Sequence, residues 1–127
     1  MSIKNYIFQT QNAIFKTLKN ANIGVEIIMN RGQVVAYPYV IIAGTKKKLL
    51  DNFQKELTAE IVVTTKDFSV ISSANILEKI ENAVHQKALQ VNIEHYEIHF
   101  VEILNSSVYA NEEGFFYGRV EVVVIID

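Results

Sequence analysis

No cysteine occurs in the 127-residue sequence. That excludes disulfides, thiolate metal centres and cysteine nucleophiles, and suits a chain matured in a reducing cytoplasm. Proline occurs once, and the five glycines stand singly. No glycine-rich loop therefore opens a helix to cradle a phosphate, and no Gly-x-Ser-x-Gly elbow presents a nucleophilic serine. No apolar run approaches a membrane-spanning length, and Met1-Ser2-Ile3-Lys4-Asn5 lacks the apolar core of a signal peptide. Internal repeats and low-complexity linkers are absent as well. A final strand reaching Ile126-Asp127 is expected, with no C-terminal tail to act as an arm. Neither sign of charge dominates. The net charge is −2 and the pI is about 5.9, so the whole chain carries no nucleic-acid signature.

What is present is apolar substance. The hydrophobic share is 50% and the mean hydropathy is +0.15, enough for one well-packed domain over residues 1–127 with apolar surface to spare.

The stretch Tyr37-Pro38-Tyr39-Val40-Ile41-Ile42-Ala43-Gly44 has apolar side chains at both parities, which predicts a central strand covered on both faces. Pro38 suits the strand's first residues, and Gly44 is expected to free the chain to turn out of the sheet. Before it, Ile3, Ile7, Ile14, Leu18 and Ala21 fall at helical spacing and predict an amphipathic helix over 3–20. Gln11 lies inside that stripe and would need a partner. Phe8 and Phe15 sit at its edge, either widening the core contact, the favoured reading, or facing another subunit. Residues 25–30 read as a short strand.

Lys46, Lys47 and Lys48 fall in a polar stretch that reads as a solvated loop running to Phe53; without interleaved aromatics, phosphate binding is the weaker reading. Residues 57–65 alternate cleanly, with Leu57, Ala59, Ile61 and Val63 on the packed face. A second helix is expected over about 72–89, capped through Asn75 and Glu78 or by Ser72 or Ser73, with His85 and Lys87 in its last turn. A strand at about 95–104 changes phase, which calls for a β-bulge near Phe100 or Val101 to keep Tyr96, Ile98, Phe100, Val101 and Ile103 on the packed face. Asn105 to Gly114 reads as a polar loop, and Phe116 to Ile126 as the last strand, with Val120, Val122, Val124 and Ile126 filling one face. The order α-β-β-β-α-β-β predicts an α+β fold, a mainly antiparallel sheet with both helices on one face.

Two constellations bear on chemistry. His95, Glu97 and His99 would project from one strand face, about 6.6 Å apart per two-residue step. Imidazole and carboxylate suit zinc or iron, but no second ligand cluster completes a site, and a solvated strand face explains the same letters. Glu112 and Glu113 are loop neighbours whose side chains diverge, unconvincing as an acid/base pair. No metal or other cofactor is expected, and an enzyme is not the reading these residues favour.

Three stretches together resemble a family of tailed-phage tail-completion or tail-terminator proteins, also called head-tail joining or minor tail proteins, found too in prophages and gene transfer agents. The first is the opening helix leading into Pro38-Tyr39-Val40-Ile41-Ile42-Ala43-Gly44. The second is the Val/Thr strand with the Ser-Ala-rich helix start, Glu60 to Asn75. The third is the Glu113-Gly114 turn before Phe115-Phe116-Tyr117-Gly118-Arg119-Val120-Glu121. The order of elements covers essentially the whole chain. The resemblance implies a structural virion protein, assembled in the bacterial cytoplasm and located at the head-proximal end of the tail. It implies a homo-oligomeric ring, commonly of six, that caps the tail tube protein and meets the head-tail connector protein. DNA would pass through the ring without sequence-specific binding, and no membrane is involved. Expected contact surfaces are Phe8 and Phe15, the segment Lys46, Lys47, Lys48 to Phe53, and the loop holding Tyr109, Glu112 and Glu113.

Overall fold

The computed structural model describes residues 5–29, 37–51, 53–66, 70–110 and 113–127. Helix α1 spans Tyr6–Asn20, and its N-terminus is capped by Asn5, whose side chain accepts the Phe8 N–H at 2.9 Å. The buried face is Thr10, Ala13, Ile14, Thr17 and Leu18. The expected stripe is therefore rotated: Ile7 and Ala21 are exposed and Gln11 is only half-buried. Two threonines take the places that apolar residues were expected to hold, because their hydroxyls find partners. Thr10 shares a 3.2 Å hydrogen bond with the Tyr96 hydroxyl, and Thr17 accepts from the Asn92 side-chain amide at 3.0 Å.

Strand β1 (Glu26–Ile28) is shorter than the predicted 25–30 and pairs parallel with β2 (Tyr39–Leu49). The Tyr37–Pro38 peptide just before β2 is cis. Strand β2 then pairs antiparallel with β3 (Lys55–Lys66), β3 with β5 (Phe115–Ile126), and β5 with β4 (Ile98–Ala110), giving the order β1-β2-β3-β5-β4. Among the described residues the sheet is mixed, and three helices accompany it.

The Tyr37–Gly44 stretch is buried at both parities through Val40, Ile41 and Ile42, yet its strand lies second from the edge; β3 is central. Gly44 does not turn the chain out. A bulge between Ile42 and Gly44 resets the register, and β2 runs on through the three lysines to Leu49. The polar 45–49 stretch is therefore strand, paired with Lys55–Ala59, and not loop. Likewise Asn105–Ala110 completes β4 instead of forming a loop, while His95 and Glu97 precede that strand. Polar side chains hid both extensions, since an edge strand with a solvated face needs no apolar alternation to pair through its backbone.

The second helix is two. Helix α2 spans Val70–Ala83, so Ser72, Ser73 and Asn75 lie inside it and do not cap it. His85 is extended and caps α3 (Gln86–Gln90), its Nδ1 accepting the Ala88 N–H at 3.3 Å. The break has a packing cause. Val84 and Leu89 both enter the core, whereas five residues of continuous helix would set them roughly 140° apart.

All three helices lie on one face of the sheet. Leu57, Ala59, Ile61 and Val63 of β3 meet Val120, Val122, Val124 and Ile126 of β5, and Ile14, Leu18, Ile80 and Leu89 close the core above them. Burying each of these valines, leucines and isoleucines stabilises the fold by about 1.5–3 kcal/mol before conformational entropy is counted. Gly118 lets α2 sit close: a Cβ there would stand 2.9 Å from Leu77 Cγ. Phase changes in β4 come from bulges at Ile98/Phe100 and Ile103/Asn105. They turn Ile98, Val101 and Ile103 toward the core, while Phe100, expected inside, stays exposed.

Candidate assembly surface

No described element packs on the sheet's other face, and its residues follow from register. Lys46 and Lys48 of β2, Glu56, Thr58 and Glu60 of β3, Arg119 and Glu121 of β5, and Phe100, Glu102 and Tyr109 of β4 all share it. Glu60 and Glu121 are directly opposite, an arrangement that repels. Arg119 resolves it, its Nη2 lying 2.8 Å from Glu60 and 3.4 Å from Glu121. The hydrogen bond to Glu60, and then its charge, raise the Arg119 pKa above the ordinary guanidinium value. Toward one end the face turns aromatic: Tyr37 lies 5.2 Å from Phe115 and 5.4 Å from Tyr39, and Tyr109 stacks on Tyr117 at 5.5 Å. Lys66 sits over the Phe115 ring. Such a face offers flat apolar area edged by charge.

The three consecutive lysines divide. Lys47 points to the helix side, its ammonium 5.6 Å from the Tyr6 ring, which Lys55 also approaches at 4.6 Å. Lys46 and Lys48 alternate to the open face. Beyond them the β2–β3 hairpin ends in exposed Leu49, Leu50 and Phe53, the last 76% exposed. That turn is built by Asp51, whose carboxylate accepts the N–H groups of Phe53 and Gln54, each at 2.7 Å. The bond from Phe53, and then that from Gln54, hold the Asp51 carboxyl below its ordinary pKa. Exposed apolar side chains beside these bonds form a presentable contact.

Phe8 and Phe15 separate. Phe15 packs against the core with Lys19 over its ring, and Phe8 is exposed. Tyr109 is exposed on β4, not in a loop. Glu113 lies in the turn before β5, and Glu112 falls outside the described residues.

Of the proposed His95, Glu97 and His99 group, the fold unites only two. Glu97 and His99 gather with Asp127, one ligand atom of each within 4.8 Å of the others, all exposed. His95 faces Glu94 instead, at 3.7 Å. The trio is already engaged in closing a strand end. Asp127 accepts the Glu97 N–H at 3.1 Å and lies 3.5 Å from His99. That N–H bond is the main reason the Asp127 carboxyl lies below its ordinary pKa. Strand spacing alone could not find Asp127, which register carries to the start of β4 from the far end of β5.

No family model matches the chain, and no curated protein does. Among solved structures the chain is similar to one from the virion of a native gene transfer agent particle, with a TM-score of 0.74 at 9% identity. The superposition covers 97% of this chain and 98% of that one. The shared feature is the entire fold, not a helix-and-hairpin fragment of it.

Proposed function

We propose that this chain is a structural, non-enzymatic subunit of a phage-like particle, which caps the finished tail tube and joins it to the head connector as an oligomeric ring. The observation that carries this reading is the end-to-end fold likeness to a chain of a gene transfer agent virion. The open sheet face and the exposed Leu49, Leu50 and Phe53 at the hairpin tip support it, because a subunit of an assembly must keep apolar area for its neighbours. Its partners are then copies of itself, the tail tube protein and the head connector protein. Its place is the head-proximal end of the tail, reached after assembly in the bacterial cytoplasm, with DNA passing through the ring.

Electron microscopy of particles from a producing strain with this gene deleted tests the proposal. Full heads beside separate or overlong tail tubes are expected; normal, infectious particles overturn it. A second reading, a small metal- or ligand-binding domain, has one specific observation in its favour, the Glu97, His99 and Asp127 trio. Stoichiometric zinc or iron in the purified protein would support that reading, and folded, metal-free protein would remove it.

A further inference from the structure

Both long edges of the sheet are open among the described residues. Strand β1 covers only Tyr39–Ile41 of β2, leaving Ile42–Leu49 without a described neighbour on that side. At the opposite edge, β4 pairs with β5 alone. Open edges present rows of backbone donors and acceptors, and another copy of the chain can complete them.

Resting on the reading that copies of this chain assemble, we propose that the Ile42–Leu49 edge of one copy pairs with the Ile98–Ser106 part of the next copy's β4, whose Ser107–Ala110 end leaves the pairing where β1 already holds Tyr39–Ile41. The sheet then continues from subunit to subunit. Strand sense permits it. Three successive antiparallel pairings make β2 run opposite to β4, so a copy added head to tail, with its strands in the same sense, pairs antiparallel.

Register and charge then select this pairing over others. Lys46 lies level with Thr58, Val123 and Glu102, all on the open face, and Lys48 lies level with Phe100. A rotation that closes a ring has no rise along its axis, so strands set along that axis meet without stagger. Lys46 of one copy then stands opposite the next copy's Glu102, a favourable cross-strand pair. Glu97 and Asp127 lie just beyond, and Glu81, which accepts a hydrogen bond from Ser106, flanks the same edge. Self-pairing of either edge is opposed: β2 against β2 sets lysines facing lysines, and β4 against β4 brings carboxylates together. Unlike edges join and like edges repel, which is the heterologous contact a ring requires.

Lysines on an edge strand also serve simply to prevent pairing, and the test separates the two roles. Because the chain has no cysteine, Lys46→Cys with Glu102→Cys introduces the only thiols. Within one copy these positions are three strand spacings apart, roughly 14 Å, beyond disulfide reach. Mild oxidation of the purified full chain, and of virions from a strain carrying the double variant, is expected to give a ladder of dimer, trimer and higher species. Each single variant should give at most a dimer. In sedimentation, Lys46→Glu with Lys48→Glu should weaken self-association roughly tenfold or more, and adding Glu102→Lys should recover much of it. Association that persists with no ladder from Lys46→Cys paired with Phe100→Cys, Glu102→Cys or Ser107→Cys overturns the edge pairing and leaves the ring intact. A chain that never self-associates and is missing from purified virions overturns the proposed function itself.

Discussion

The two faces of this sheet are made by alternate residues of the same strands, and they obey different rules. On the helix side, Leu57, Ala59, Ile61 and Val63 are fully buried beneath three helices. On the other, Glu56, Thr58, Glu60 and Val62 are half-buried beside charged and aromatic neighbours. The first face encodes the fold, since branched aliphatic side chains fill one continuous core. The second is mixed: its charges are partly paired, its aromatic rings touch one another, and among the described residues the sheet's long edges have no further strand beside them. A single strand thus carries two messages in alternate positions.

Adjacent residues of β3 give the sharpest break in that comparison. Ile61→Ala removes a side chain with no exposed surface and should cost about 2–5 kcal/mol. Val62→Ala, one position along on the open face, should cost under about 1 kcal/mol. Urea unfolding of both variants checks the contrast. Equal losses would mean that the open face is buried by something else. In assembled protein the order is expected to narrow, because the open face then gains neighbours.

The buried face was also the legible one. Clean alternation over 57–65 places β3 and its packed side correctly, and the Val120 to Ile126 run does so for β5. The open face and the edges were not legible, for physical reasons. Lys46, Lys47 and Lys48 read as loop because strand pairing runs through the backbone, which sequence does not display. Asn105 to Ala110 failed in the same way. Position in the sheet was misread too: both-parity burial of Val40, Ile41 and Ile42 suggested a central strand, but β2 lies second from the edge, beside the three-residue β1. Of the site, Phe53 and Tyr109 could be named as contact candidates, whereas Asp127, Arg119 and Phe115 enter only through long-range register.

A second contrast lies in how closely each face admits a neighbour. Gly118 leaves room for Leu77 of α2, and Gly118→Ala would bring a Cβ to 2.9 Å from Leu77 Cγ. The expected cost is about 1–3 kcal/mol. Leu77→Ala would lower stability alone, but combined with Gly118→Ala it should cost less than the sum, because the clash is gone. Thermal melts of the two single variants and the double variant test this. Strict additivity would place the strain elsewhere.

Tyr96 tests the helix side for its one buried phenol. Tyr96→Phe removes the hydrogen bond shared with Thr10 and should cost about 1 kcal/mol. Burial is the main cause of its raised pKa, with the Thr10 bond acting the other way. The sign follows by linkage: above the ordinary tyrosine value of about 10, the unfolded chain releases this proton before the folded one. The stabilisation is complete below that pH and is lost as pH rises toward the folded value. Wild type should therefore lose stability above pH 10 more steeply than Tyr96→Phe. Identical alkaline limbs would mean that the phenol ionises as freely in the fold as outside it.

The smallest effect is expected at the centre of the open face, and it is the most informative about that face. Arg119 lies between two carboxylates that register sets directly opposite each other. Replacing it by methionine keeps an apolar stem over the sheet while leaving Glu60 and Glu121 facing each other without the guanidinium. Because these groups are solvent-accessible, the loss should be slight at physiological ionic strength and should fade as salt is raised toward 1 M. Melting curves of Arg119→Met and wild type at low and high salt measure it. A loss that salt does not touch would assign Arg119 to packing through its stem. A loss that salt removes makes the open face an electrostatic surface held together by compensation, one that a neighbouring subunit could re-pair without disturbing the core.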